Sequence, residues 1–180
     1  MEENRRSGFD RRISVTNFPS ERRNGFDRRD LIRHQNVLLG KLKNTQFFHT
    51  FNEEEFKYIL NICSKKTFSK GNRLFMEGEP SNDMYVLLEG VLQVNLHGRE
   101  LNLVTAVDIV GEMGLFSGEP RSATVYAKTD SLLLKLNRYE LFGLLDTNKN
   151  LNNLFQMGMI NNLSGKLRTT NKKIVELKNR

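Results

Sequence analysis

Apolar positions along the chain fall into three textures. Over residues 31–49, Leu31, Ile32, Leu38, Leu39 and Leu42 precede Phe47 and Phe48, which predicts helix for most of the stretch. Asn52 followed three residues later by Glu55 has the form of a capping box, and Glu53, Glu54 and Glu55 suit the first turn of a helix. That helix is expected to carry Phe56, Ile59, Leu60 and Cys63 on one face, which makes Cys63 a small core residue. From residue 66 to 137 the texture changes. Gly71, Gly78, Gly90, Gly98, Gly111 and Gly118 separate short apolar runs. Leu92, Val94 and Leu96 alternate with Gln93, Asn95 and His97 as in a half-buried strand. The chain turns through Gly98 and returns through Leu101 and Leu103, and Leu132, Leu134 and Leu136 repeat the pattern. Short strands with glycine turns suit a sandwich, roll or barrel.

From about residue 138 the pattern is helical again. Tyr139, Leu141, Phe142, Leu144 and Leu145 mark a short helix. Ile160, Leu163, Leu167, Thr170, Ile174 and Leu177 follow at spacings of 3, 4, 3, 4 and 3, a heptad-like seam along a longer helix. Gly158 and Gly165 inside that helix cost about 1 kcal/mol each relative to Ala. They are expected where another backbone comes close.

Charge adds a division to this picture. The net charge of +7 splits into +2 over residues 1–30, −1 over 31–148 and +6 over 149–180. The strand-rich part is therefore nearly neutral. The first thirty residues contain a repeat, RRSGFDRR at 5–12 and RRNGFDRR at 22–29, with few apolar residues and no periodicity. They read as a disordered tail, either solubilising or a docking element for an acidic partner or RNA. No apolar run has the length of a membrane span, the N-terminus has no apolar leader segment, and Cys63 is the only cysteine. Cytoplasmic location without a membrane partner is the expectation. His34, His49 and His97 are scattered and no nucleophile–base pair is legible, so neither a metal site nor an enzyme is expected.

The chemistry concentrates in residues 111–125, GEMGLFSGEPRSATV. Gly111 allows a tight turn. Glu112 offers a carboxylate able to accept from a sugar hydroxyl. Met113 to Phe116 can form one helical turn with free N–H groups, and Pro120 stiffens the approach to Arg121. The guanidinium fork of Arg121 matches phosphate geometry. A carboxylate and an arginine in this setting can recognise ribose and phosphate together. The plainer alternative is a surface loop closed by a Glu112–Arg121 ion pair, worth about 0–1 kcal/mol.

This segment resembles the phosphate-binding cassette of cyclic-nucleotide-binding domains, the family of catabolite activator protein, kinase regulatory subunits and cyclic-nucleotide-gated channels. The likeness extends to Phe68-Ser69-Lys70-Gly71, to Phe75 through Ser81 and to Met84 through Gly90, and covers about residues 46–145. It implies an α+β fold: an antiparallel β-roll of jelly-roll type flanked by N- and C-terminal helices. It implies that Glu112, with the Gly111 backbone, binds the ribose 2′-hydroxyl, and that Arg121 and Ser122 bind the phosphate. Backbone N–H groups around Met113, Gly114, Leu115 and Ala123 would complete the cradle. Ala106-Val107-Asp108 stands where many members have Pro-Gly-Asp, and Gly114 where many have Ala. Both departures leave Glu112 and Arg121 intact.

Lys166-Leu167-Arg168-Thr169-Thr170-Asn171 resembles the dimer helix of catabolite activator protein, with Thr170 and Asn171 at its two base-contacting positions. The resemblance thus implies a homodimer. Ser122, Thr170 and Asn171 together favour cAMP, with cGMP as the alternative. The expected organisation is a tail over 1–30, a cyclic-nucleotide-binding domain over 31–148 and a dimerisation helix over 149–180. No helix-turn-helix is expected, so a sensor acting through an unidentified protein partner is the leading function. A nucleic-acid-binding or cyclic di-GMP-responsive protein using the Arg-rich tail is the alternative.

Overall fold

A computed structural model describes residues 40, 42, 43, 45 and 47–179. The Arg-rich repeat and nearly all of the helix expected before Phe47 lie outside the described residues. Asn52 caps the first helix, α1 (Glu53–Asn61), as its sequence implies. Its Oδ1 accepts from the Glu54 and Glu55 amides at 2.9 Å, and Glu55 Oε2 accepts from the Asn52 amide at 2.8 Å. The helix stops two residues short of Cys63. Cys63 is the first residue of β1 (Cys63–Phe68), paired opposite Leu136, and is half-buried. Phe56, Ile59 and Leu60 set a helical period that Cys63 continues in sequence only, because the chain leaves the helix through Ile62.

The strands β2 (Arg73–Phe75), β3 (Asp83–Glu89), β4 (Val91–Leu96), β5 (Arg99–Thr105), β6 (Ile109–Val110), β7 (Thr124–Ala127) and β8 (Ser131–Asn137) follow, with α2 (Glu112–Ser117) between β6 and β7. They form two four-stranded antiparallel sheets, ordered β1-β8-β3-β6 and β2-β7-β4-β5. This is the expected α+β architecture, a β-roll with helices at both ends. The sheets face each other across Phe75, Tyr85, Leu87, Leu92, Val104, Val110, Val125, Ala127 and Leu133. The outer face of the first sheet carries Met84, Val86, Leu88, Leu134 and Leu136, which pack under the helices. Alternate residues of β3 and β8 therefore enter different cores. Both faces are covered, so β8 is not the half-buried strand its leucine alternation suggested.

Two C-terminal helices complete the fold, α3 (Arg138–Thr147) and α4 (Lys149–Lys178). The first half of α4 is clamped. Phe155 meets the Phe47 ring edge-on at 5.0 Å, and Phe48 meets Phe56 at 5.1 Å. Glu55 Oε1 accepts from Asn150 Nδ2 at 2.7 Å. Gly158 lies where a Cβ would run into the Phe47 carbonyl, which is the close backbone approach expected of a helix glycine. Leu151, Phe155, Met159 and Asn162 are buried, whereas no described residue of α4 after Asn162 is. The helix is thus anchored at one end and lies over the mouth of the roll at the other.

Candidate functional site

Between that mouth and the second half of α4 lies a cavity of about 890 Å³, toward the upper end of the range for small-molecule sites. The turn from β6 into α2 forms its floor. Gly111 takes φ +80° there, and a side chain would collide with the Arg121 guanidinium, so glycine is required twice over. The next residue, Glu112, opens α2 and is only 4% exposed.

A carboxylate this buried needs a partner, and α4 supplies it. Lys166 Nζ donates to Glu112 Oε1 at 2.9 Å and to the Ile109 carbonyl at 2.7 Å, and stands 3.9 Å from Asp108 Oδ1. One turn earlier, Asn162 Nδ2 donates to Asp108 Oδ1 at 3.4 Å while its Oδ1 is buried without a partner. The Glu112–Arg121 ion pair weighed as the plain alternative is absent among the described residues.

Arg121 is placed differently. Its backbone is pinned to the segment after β2: its N–H donates to the Glu79 carbonyl at 2.8 Å and its carbonyl accepts from Gly78 at 2.9 Å. The side chain is 6% exposed and lies with Cζ 4.1 Å from the centre of the Phe75 ring. Nη1 donates to the Gly111 carbonyl at 3.1 Å, and Nε is buried without a partner. Among the described residues no carboxylate reaches ion-pair distance of it. Burial pushes the guanidinium below its ordinary pKa, with Tyr85, Asp83, Glu79 and Glu112 acting weakly in the opposite sense. A buried cation short of an anion is therefore aimed at the floor of the cavity.

Of the residues singled out in the sequence, Gly111, Glu112, Met113, Gly114, Arg121, Ser122, Ala123 and Thr170 all line this cavity. Ser122 and Met113 are exposed at its rim, with Ser122 Oγ 3.7 Å from Met113 Sδ. Asn171 is not in the lining. One residue on from Thr170 turns it about 100° round the helix and away from its own roll. Asn102, Asp108, Asn162, Lys166, Thr169 and Lys173 were missed and also line the cavity. Four of these recur on α4 at positions 162, 166, 169 and 173, a polar stripe at helical period that was legible but reads as a solvated face. Among the described residues no group of three or more His, Cys, Asp or Glu could hold a metal ion, and no helix is long and apolar enough to cross a membrane.

Comparison with known proteins agrees with this arrangement. Residues 65–148 match the family described as "Cyclic nucleotide-binding domain". The chain is 27% identical over 101 residues to the cAMP-dependent protein kinase type II regulatory subunit of Drosophila melanogaster, covering 56% of this chain and 27% of that protein. It is 30% identical over 97 residues to the cGMP-dependent protein kinase of Toxoplasma gondii, covering 54% of this chain and 10% of that one. The chain thus spans about a quarter or less of these relatives' length. The fold superposes on a cyclic nucleotide-binding domain from Methylobacillus flagellatus with a TM-score of 0.72 at 23% identity, over 80% of this chain and 84% of that one. Residues 65–148 form a domain of the cyclic nucleotide-binding family.

Proposed function

We propose that the chain is a cAMP sensor, in which Glu112 takes the ribose 2′-hydroxyl, Arg121 takes the cyclic phosphate and the second half of α4 covers the base. The observation that carries this reading is Arg121, buried without a counter-anion beside the cavity floor. Burying an ion is costly unless it is paired, so such a guanidinium is completed by an anionic ligand. Glu112 supports the ribose assignment, since an ionised carboxylate accepts hydrogen bonds from hydroxyl groups.

The link from ligand to output runs through Lys166. It ties α4 to Glu112, the same carboxylate that the ribose would approach. A hydroxyl donating to Glu112 redistributes its bonds and changes the hold on a helix half that has no buried residue of its own. That half is the natural moving part. It carries an exposed apolar stripe, Ile160, Leu163 and Leu167 off the cavity and Ile174 and Leu177 at its edge, and we assign this stripe to homodimerisation, with an unidentified protein partner as the recipient of the signal.

Adenine is favoured by the hydroxyls at the base end. Thr169 Oγ1 donates to the Gly165 carbonyl at 3.1 Å and Thr170 Oγ1 to the Lys166 carbonyl at 3.0 Å. Each hydroxyl has a single proton, so both present only lone pairs to the cavity. Lone pairs accept from the 6-amino group of adenine and repel the 6-oxo group of guanine. An unsatisfied polar group costs about 1–3 kcal/mol, or roughly 5- to 150-fold in affinity. Calorimetric titration with cAMP, cGMP and cyclic di-GMP tests the reading. The expected order is cAMP tighter than cGMP, with no binding of cyclic di-GMP, and Thr170→Val should narrow the gap. Absence of binding to any cyclic mononucleotide overturns the function, and preference for cGMP overturns the base assignment.

A further inference from the structure

Lys173 stands on the same cavity face of α4 as Lys166 and lines the cavity with it. It lies seven residues, or about 10 Å, further along the helix. Lys166 serves the ribose end, so Lys173 stands where a base attached to that ribose must pass. Its Nζ donates to Asn102 Oδ1 at 2.8 Å, and Asn102 belongs to β5 on the opposite wall. This bond joins two exposed side chains across the cavity mouth, from helix to roll, and favours one direction for the ammonium. Three donors sit on Nζ, and among the described residues only one has a recorded acceptor. Among the described residues no carboxylate lies within ion-pair distance of Lys173. Lys173 is exposed, so these donors meet water in the open cavity and can exchange it for an acceptor on a ligand.

We infer that Lys173 is a base-reading residue, donating to a ring nitrogen beside the 6-amino group of the purine, and that Asn102 positions it. This rests on the cyclic-nucleotide reading above and deepens it. Thr170 supplies an acceptor one turn before the Lys173 donor, and adenine presents a donor next to an acceptor on either edge that carries its 6-amino group. The two side chains together form the complement of that pattern. Lys173 supplies affinity for the purine edge, and Thr170 supplies discrimination. Lys173, unlike Thr170, lies off the apolar seam, and both line the cavity.

The test is an atom-for-residue cycle on the full chain. Wild type, Lys173→Met and Asn102→Ala are titrated with cAMP, 1-deaza-cAMP and 7-deaza-cAMP, each analogue lacking one ring acceptor beside the amino group. A hydrogen bond to a charged donor predicts that one analogue binds wild type about 10-fold more weakly than cAMP. Lys173→Met should lose the same factor for cAMP and show no further loss with that analogue. Asn102→Ala should weaken cAMP by a smaller factor and leave the affinity for that analogue unchanged, which a general loss of structure would not do. The inference is overturned if both analogues bind wild type as cAMP does, or if the analogue's loss is undiminished in Lys173→Met. Failure of wild type to bind any cyclic nucleotide would instead overturn the underlying function, so the two failures are distinct. Equal weakening of all three ligands by Lys173→Met would make the lysine a contact for the phosphate or a support for the helix, and would also overturn it.

Discussion

Replacing Arg121 by Met separates the two things a buried arginine can do. Met keeps an unbranched apolar stem against the Phe75 ring and removes the charge. In the ligand-free protein the loss is small: one bond from Nη1 to the Gly111 carbonyl, about 1.5–3 kcal/mol for a charged donor, and a ring contact of about 0.5–2 kcal/mol. Against this stands the cost of burying an ion with no counter-ion, several kcal/mol. The two nearly cancel, so the unliganded melting temperature should stay level or rise. With ligand the sign reverses. The guanidinium and the phosphate form a desolvated charge pair, and breaking it costs about 3–5 kcal/mol, or roughly 10²- to 10⁴-fold in affinity. Calorimetry gives the affinity and thermal melts give the stability, each with and without cAMP. At a concentration of about 100 times the dissociation constant, wild type should gain about 2.7 kcal/mol and the variant almost nothing. Binding within a few-fold of wild type would refute the phosphate assignment. A marked fall of the unliganded melting temperature would show that the guanidinium holds the fold together instead.

Three other outcomes follow from the geometry. Lys166→Met strands the Glu112 carboxylate and should destabilise the unliganded protein by about 1–3 kcal/mol, less than for a fully buried pair because the lysine side chain is 35% exposed. Adding Glu112→Gln should restore the melting temperature but not ligand binding. Leu167→Lys with Ile174→Lys places charges in the exposed stripe of α4 and should leave monomers in sedimentation equilibrium, while a wild type that is monomeric at high concentration with and without cAMP would exclude the dimer. Burial and the nearby Glu140 push the Cys63 thiol up to about 12 from 9.0, so it should resist thiol reagents at pH 8 until the protein unfolds. Between these values the folded state keeps a proton that the unfolded state releases, and stability falls as pH rises, by up to about 1.4 kcal/mol per unit. Tyr85 and Lys135 are also raised, the first by burial and the second by its hydrogen bond to Asp83, and both act in the same direction. Cys63→Ala should flatten the decline in melting temperature above pH 9.

Local signals were legible wherever one residue satisfies one rule. Asn52 and Glu55 predicted a capping box and form one. Gly111 predicted a tight turn and adopts positive φ. Periodicity misled where two layers compete for one strand. Leu132, Leu134 and Leu136 suggested one buried face, yet Leu133 is fully buried between the sheets, because β8 is covered on both sides. Cys63 shows the same weakness at an element boundary. Its spacing from Ile59 fits a helix, while its pairing with Leu136, 73 residues away, is invisible to any local pattern.

The second half of α4 was half legible, and the reason bears on how the protein would work. Sequence pattern identified the apolar line through Ile160, Leu163, Leu167, Ile174 and Leu177 and, on the rest of the helix, singled out only Thr170 and Asn171. Ile160, Leu163 and Leu167 lie outside the cavity, with Leu167 61% exposed, while Asn162, Lys166, Thr169 and Lys173 line it, joined toward the helix end by Ile174 and Leu177. An amphipathic helix normally turns its apolar stripe to the core. Here the polar stripe meets Asp108, Glu112 and Asn102 across the cavity through a few hydrogen bonds, and no described residue after Asn162 is buried. Such a helix half is held weakly by its own roll, and an exposed apolar stripe of this kind is stabilised by covering it. The two faces are linked by one rigid backbone, so anything that changes the bonds of Lys166 and Lys173 also changes how the outward leucines are presented. On the proposed reading, ligand occupancy on one side and assembly on the other are therefore two ends of a single equilibrium, and by linkage each must shift the other by the same factor.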